Sequence, residues 1–186
     1  MELLDYLKIE KVNLIGFSLG SLIALDFSSQ FQKKIEKLIL IGTTYKRSDQ
    51  ERSRVLERYN QAKLNKPISK QALKRWFTDK YIEKNPNSYN LFMDILNKKP
   101  EDHRNFLKAY DLFANHYDDF EAIKKIDRNT LVMTGSDDVG STPAMSKELV
   151  KDLFNYTYIE MQNGKHLFSI ECVDDFNMKI NNFINN

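Results

Sequence analysis

A single cysteine, Cys172, is all the sequence has among its 186 residues. An internal disulfide is therefore excluded, and a reducing compartment is the natural setting. There is no apolar run near the roughly 20 residues that span a bilayer. The N-terminus, Met1-Glu2-Leu3-Leu4-Asp5-Tyr6, carries acid where a signal peptide carries base. An excess of one charge is missing too. The net charge is +2, too small to argue for nucleic acid or an acidic membrane surface as a partner. Metal-ligand spacings, phosphate-cradling glycine loops, basic patches, repeats and flexible linkers are likewise absent. No cofactor is implied, and a soluble cytoplasmic protein is expected.

What is present is globular. Apolar residues make up 41% and charged residues 29%, values of a chain that buries a real core as one domain. The richest stretch is Val12-Asn13-Leu14-Ile15-Gly16-Phe17-Ser18-Leu19-Gly20-Ser21-Leu22. A short apolar run ends in Gly-x-Ser-x-Gly and a helical pattern starts at once. That reads as strand, sharp turn and helix, with a serine at the apex and its oxygen at the positive end of the helix. Gly16 and Gly20 flank the turn, where a Cβ atom would collide.

Taken in order, residues 2–9 predict a short amphipathic helix with Leu3, Leu4, Leu7 and Ile9 apolar. The helix after Ser18 sets Leu22, Ile23, Phe27 and Phe31 near one face. Lys37–Gly42 is a second apolar strand, of the kind buried on both faces of a parallel sheet, so strand, helix, strand makes a right-handed crossover. From Tyr45 to Asp127 no strand pattern appears. Ser48 to Glu51 is a capping box, Ser69 is a candidate cap, and Pro100 with Glu101 and Asp102 suits a first helical turn. Aromatics recur through this helical insertion, which is placed to wall a pocket. Strand pattern returns at Thr130–Gly135, followed by the turn Ser136-Asp137-Asp138-Val139-Gly140. Thr142-Pro143 then starts a helix whose buried face is Met145, Leu149, Val150 and Leu153. Residues 156–161 form a last strand, Asn163-Gly164-Lys165-His166 a turn, and 172–184 a helix with Val173, Phe176, Ile180 and Phe183 inward.

A serine hydroxyl needs a neighbouring base to attack at neutral pH, and the imidazole that serves needs a carboxylate to hold its tautomer. Ser18, Asp138 and His166 each follow the carboxyl end of a predicted strand, the edge of a parallel sheet where functional groups gather. Asp137 is equally acidic, but a turn aims only one of the pair, and Asp138 is preferred. His103 and His116 lie in the insertion and read as surface or packing residues. Cys172 reads as a packing residue at a helix start.

These segments resemble the α/β-hydrolase superfamily: Gly16-Phe17-Ser18-Leu19-Gly20, Leu131–Asp138 with Thr142-Pro143, and Gly164-Lys165-His166-Leu167. Within it, Arg75-Trp76-Phe77-Thr78 and the tail from His166 to Phe183 are most similar to 3-oxoadipate enol-lactonases and their esterase relatives. The resemblance implies a partial α/β-hydrolase fold, with a mostly parallel sheet supplying the last four strands and a helical cap. Residues 1–44 and 128–186 would be core and 45–127 the cap. It also puts the acid three residues after the strand-ending glycine, at Asp138. Ser18 would be nucleophile, His166 base, Asp138 its orienter and Leu19 N–H an oxyanion donor, with Phe17, Trp76 and Val139 lining the pocket. Lys165 departs from the pattern, since relatives usually have a small residue there.

The expected activity is hydrolysis of a small ester or lactone through an acyl-enzyme. The same three groups also serve carbon–carbon bond hydrolysis, and a non-catalytic binding or assembly role is the reading from another class. The resemblance covers the whole chain but only the later part of the fold. Four earlier strands, on the order of 70 residues by usual element lengths, would lie outside this sequence together with a second oxyanion donor. Weak activity and self-association through the open edge of strand 12–17 are then expected.

Overall fold

The computed structural model describes residues 1–64, 68–97 and 100–186, of which 100–102 by backbone alone. Four strands form one sheet: β1 (Val12–Phe17), β2 (Ile35–Ile41), β3 (Asn129–Gly135) and β4 (Tyr156–Met161). They lie in the order β1-β2-β3-β4, and every pairing is parallel. Phe17 stands opposite Ile41, Ile41 opposite Met133, and Gly135 opposite Met161. The carboxyl ends are thus level, and the loops after β1, β3 and β4 open on the same edge.

Helices α1 (Glu2–Tyr6) and α2 (Leu19–Gln30) flank β1. Between β2 and β3 come α3 (Asp49–Lys63), α4 (Ser69–Trp76), α5 (Asp79–Lys84), α6 (Pro86–Leu96), α7 (Pro100–Ala114) and α8 (Phe120–Ile123). Then α9 (Pro143–Lys151) joins β3 to β4, and α10 (Phe168–Glu171) and α11 (Val173–Asn185) close the chain. The apolar runs behave as their composition dictates. Leu38, Ile39 and Leu40 of β2 and Leu131, Val132 and Met133 of β3 are buried on both faces. One face packs Leu38, Leu40 and Val132 with Leu25, Ile123 and Leu149 of α2, α8 and α9. The other packs Ile39, Leu131 and Met133 with Phe168 and Ile180 of α10 and α11. Burying each such side chain is worth about 1.5–3 kcal/mol.

Local signals explain the helix starts. Ser48 and Glu51 form the full capping box at α3, and Thr142 caps α9 with Pro143 in its first turn. Met145, Leu149, Val150 and Leu153 are buried, as the pattern predicts. Elsewhere the structure departs from the sequence pattern. The first helix stops at Tyr6, and Leu3 and Leu7 are exposed. The buried stripe of α2 is Ser21, Leu22, Ala24, Leu25 and Ser28; Ile23 is 53% exposed, because small residues let the helix sit close on the sheet and turn Ile23 outward. Ser69 does not cap α4. It is the helix's first residue, and its hydroxyl donates to Asn97 Oδ1 at 2.7 Å. Val173 begins α11 exposed. Helix α7 starts at Pro100 as expected, and the side chains of Pro100, Glu101 and Asp102 lie outside the described residues. Among the described residues no helix is long and apolar enough to cross a membrane.

Candidate active site

Ser18 sits between the end of β1 and the start of α2 with φ 53° and ψ −118°. A non-glycine residue held there costs on the order of 1–3 kcal/mol and persists only when its surroundings over-determine it. They do. Ser18 N–H donates to the Ile41 carbonyl at 2.9 Å, and the Ser18 carbonyl accepts from Ser21 N at 2.9 Å and Ser21 Oγ at 2.5 Å. Gly16 is required sterically, since a Cβ there would lie 2.4 Å from the Gly20 carbonyl oxygen. Gly20 is not required in that way: a Cβ on it meets nothing within 4 Å. The two glycines therefore differ, contrary to the symmetric reading of the turn.

The turn after β3 supplies the carboxylate. Asp138 Oδ1 accepts from the backbone N–H groups of Gly140 at 2.8 Å and Ser141 at 3.0 Å. Its Oδ2 lies 2.7 Å from His166 Nδ1. Asp137 is exposed, and among the described residues its carboxylate takes only the Ser136 hydroxyl, at 3.2 Å. His166 arrives on the loop after β4, which crosses Gly135 so closely that a Cβ there would meet the Gly164 carbonyl at 2.3 Å. His166 Nε2 is 2.9 Å from Ser18 Oγ. A carboxylate oxygen accepts, so Nδ1 carries the proton and neutral Nε2 is left to accept from the serine hydroxyl. The Asp138 side chain is 1% exposed and that of His166 12%, so the chain of hydrogen bonds is shielded while the imidazole keeps an opening.

The histidine loop is braced from both sides. Phe17 packs on the imidazole with ring centres 5.1 Å apart. Gly42, at φ 57°, brings the end of β2 so near that a Cβ would lie 3.2 Å from His166 Cε1. Glu171 accepts from Thr78 N at 2.6 Å, Thr78 Oγ1 at 2.7 Å and Lys165 N at 2.8 Å. Leu167 N–H donates to the Trp76 carbonyl at 2.9 Å and Lys165 Nζ to the Lys74 carbonyl at 2.8 Å. Lys165 therefore ties the loop to α4.

Ser18, Leu19, Asp138 and His166 open into a cavity of about 650 Å³ roofed by α3, α4, α6 and α7. Its walls include Val55, Ala72, Trp76, Leu96, Phe106 and Phe113. Leu19 N–H, at the first position of α2, donates to no group among the described residues. Of the three predicted pocket residues only Trp76 lines the cavity. Phe17 is behind the imidazole, and Val139 points to solvent, 66% exposed. His103 does line the cavity, with Nε2 3.2 Å from the Ala62 carbonyl. His116 lies 3.5 Å from Asp118. Cys172 packs against the second core, and burial, with Glu171 and Asp175 adding to it, pushes its thiol up, away from the reactive thiolate. The sequence reading missed Gly42, Glu171 and Arg58; none belongs to a motif, and only their three-dimensional neighbours reveal them.

The profile of the alpha/beta hydrolase fold family matches residues 2–172. The chain belongs to that family. The chain is 26% identical over 180 residues to the (E)-2-((N-methylformamido)methylene)succinate hydrolase of Acinetobacter baylyi, a match covering 95% of this chain and 66% of that protein. It is 24% identical over 176 residues to 3-oxoadipate enol-lactonase 2 of the same organism, covering 94% of this chain and 64% of the relative. The enol-lactonase structure from Burkholderia xenovorans superposes with a TM-score of 0.84 at 24% identity, covering 99% of this chain and 69% of that one. The hydrolase fold is thus shared throughout this chain, which spans about two thirds of the length of its curated relatives.

Proposed function

We propose that this α/β-hydrolase cleaves a carboxylic ester or lactone through an acyl-enzyme on Ser18. The observation that carries this reading is the continuous path from Ser18 Oγ to His166 Nε2 at 2.9 Å and from His166 Nδ1 to Asp138 Oδ2 at 2.7 Å. Ser18 Oγ attacks the carbonyl carbon as its proton passes to Nε2. The resulting oxyanion takes a hydrogen bond from Leu19 N–H. Collapse of the tetrahedral intermediate expels the alkoxide or enolate, which is protonated from His166. Water then attacks the acyl-enzyme, His166 takes its proton, and that proton returns to Ser18. Asp138 keeps Nδ1 protonated and offsets the charge of the imidazolium. In this reading residues 1–44 and 128–186 hold the reacting groups and 45–127 form the cap over the substrate.

A fluorophosphonate probe tests it, because only a base-activated serine reacts quickly. Labelling is expected at Ser18 alone and lost in Ser18→Ala. Adduct formation at another serine, or its persistence in Ser18→Ala, overturns the assignment.

A further inference from the structure

We propose that Thr134 is a positioning residue for the reaction. Its hydroxyl clips the turn that carries Asp138 to strand β3, and so sets the aim of the Asp138 carboxylate at His166. This rests on the serine-hydrolase reading for the reaction, but the clip is argued from a side chain outside the path that joins Ser18, His166 and Asp138.

Strand alternation puts Thr134 on the same face of β3 as Val132, which packs with Met145 and Leu149 of α9. Ser141 stands just before Thr142, the cap of that helix, so the turn returns to the sheet over Thr134. There Thr134 Oγ1 donates to the Ser141 carbonyl at 2.9 Å. Both residues are buried, and among the described residues no backbone N–H donates to that carbonyl. The turn is held differently in its two halves. Ser136 N–H donates to the Met161 carbonyl at 2.9 Å and Asp137 N–H to the Gly164 carbonyl at 3.0 Å, which tie the first half to β4 and its loop. In the second half Val139 and Gly140 are exposed. Among the described residues the Thr134 hydroxyl is the one hydrogen-bonding group of the sheet that reaches it.

That second half supplies the two N–H groups, of Gly140 and Ser141, that pin Asp138 Oδ1 at 2.8 and 3.0 Å. With Oδ1 pinned, Oδ2 is left facing His166 Nδ1 at 2.7 Å. The Ser141 carbonyl and N–H belong to one residue, so fixing the first fixes the direction of the second. A buried hydroxyl is costly unless it is hydrogen-bonded. Valine has the same branched shape and suits a strand equally well. What the hydroxyl adds over valine's methyl group is the hold on Ser141. The orienting carboxylate acts through geometry, and a misplacement of about 1 Å costs on the order of 100-fold in rate. Thr134 touches none of the reacting atoms; it acts through Ser141 and Asp138.

Thr134→Val, Thr134→Ser and Thr134→Ala are compared with the wild-type chain in hydrolysis of p-nitrophenyl acetate and in the rate of fluorophosphonate labelling at Ser18. Thr134→Val is expected to lower kcat and the labelling rate about 10- to 100-fold with KM nearly unchanged. Thr134→Ser, which keeps the hydroxyl, should recover most of the loss. Serine and alanine differ only in that hydroxyl, so the pair decides the matter if valine disturbs the packing. In an Asp138→Asn background the same replacements should cost little more, because Thr134 acts through the carboxylate. Full additivity with Asp138→Asn, or a kcat unchanged in both Thr134→Val and Thr134→Ala, overturns the clip. The proton between His166 Nδ1 and Asp138 gives a far-downfield resonance in the proton NMR spectrum, expected in wild type and Thr134→Ser and lost or moved in the other two. That signal needs no turnover, so it separates the two readings. A resonance that depends on Thr134, in a chain whose Ser18 never labels, keeps the clip and sinks the serine assignment. Ser18 labelling and a resonance both indifferent to Thr134 do the reverse.

Discussion

At residue 16 an added methyl group would meet the backbone of the next helix, whereas at residue 20 it would enter open space. The Gly16 contact involves a carbonyl of the same tight turn, which cannot yield without moving Ser18. Gly16→Ala is therefore expected to destabilise by about 1–3 kcal/mol or more and to displace the serine. Gly20→Ala, in the first turn of α2, is expected to be neutral or to stabilise by up to about 1 kcal/mol, the helix propensity difference. Urea unfolding of both variants checks this, and equal losses would refute it. The two acids after β3 make the second residue-scale case. Only Asp138 reaches the imidazole, while Asp137 faces solvent. Asp138→Asn should drop kcat by about 10⁴-fold, as loss of the orienting acid does in a serine protease, and Asp137→Asn should leave it nearly unchanged. Similar losses in the two variants would show that the carboxylate does not act through His166.

Among the elements, the contact that matters most is between α10 and the α4–α5 corner. The Glu171 carboxylate takes three hydrogen bonds, two from Thr78 and one from the backbone beside His166. Leu167, next along the loop, packs with Leu73 and Phe77 in the insertion's own core. The roof of the cavity and the loop carrying the imidazole are thus one unit. Glu171→Ala leaves the N–H groups of Thr78 and Lys165 without that acceptor, and a loss of about 2–5 kcal/mol in unfolding free energy is expected. Glu171→Gln keeps an acceptor oxygen and should recover part of it. An unchanged urea midpoint in Glu171→Ala would mean that the insertion and the loop are held independently.

For the whole molecule the decisive fact is the sheet order. Strand β1 is paired on one side by β2 and stands last in the sheet, with Ile15 49% and Phe17 37% exposed. Leu3 of α1 and Leu7 just after it are exposed as well. An open strand edge with apolar neighbours is a template for another chain. Sedimentation velocity is expected to show concentration-dependent association of the chain, weakened by Ile15→Lys, which puts a charge beside the edge. A wild-type chain that stays monomeric at high concentration would show that this edge is protected.

The sequence by itself determined the parallel sheet, the helical run between its second and third strands and the grouping of Ser18, Asp138 and His166, because each rests on short-range chemistry. Continuous apolar runs such as Leu38–Ile41 make doubly buried strands, Ser48 and Thr142 make helix starts, and Gly16 makes a turn that only a residue without Cβ allows. The parallel register then carries the ends of β1, β3 and β4 to one edge. Tertiary structure alone decided what depends on distant neighbours. It turned Ile23 outward, gave Ser69 to Asn97 in place of a cap and sent Val139 to solvent. It also brought Arg58 and Arg75 from two helices to one cavity, and Glu171 to the loop of His166. A side chain's partners across the fold are set by packing between elements, and no local pattern of residues encodes them.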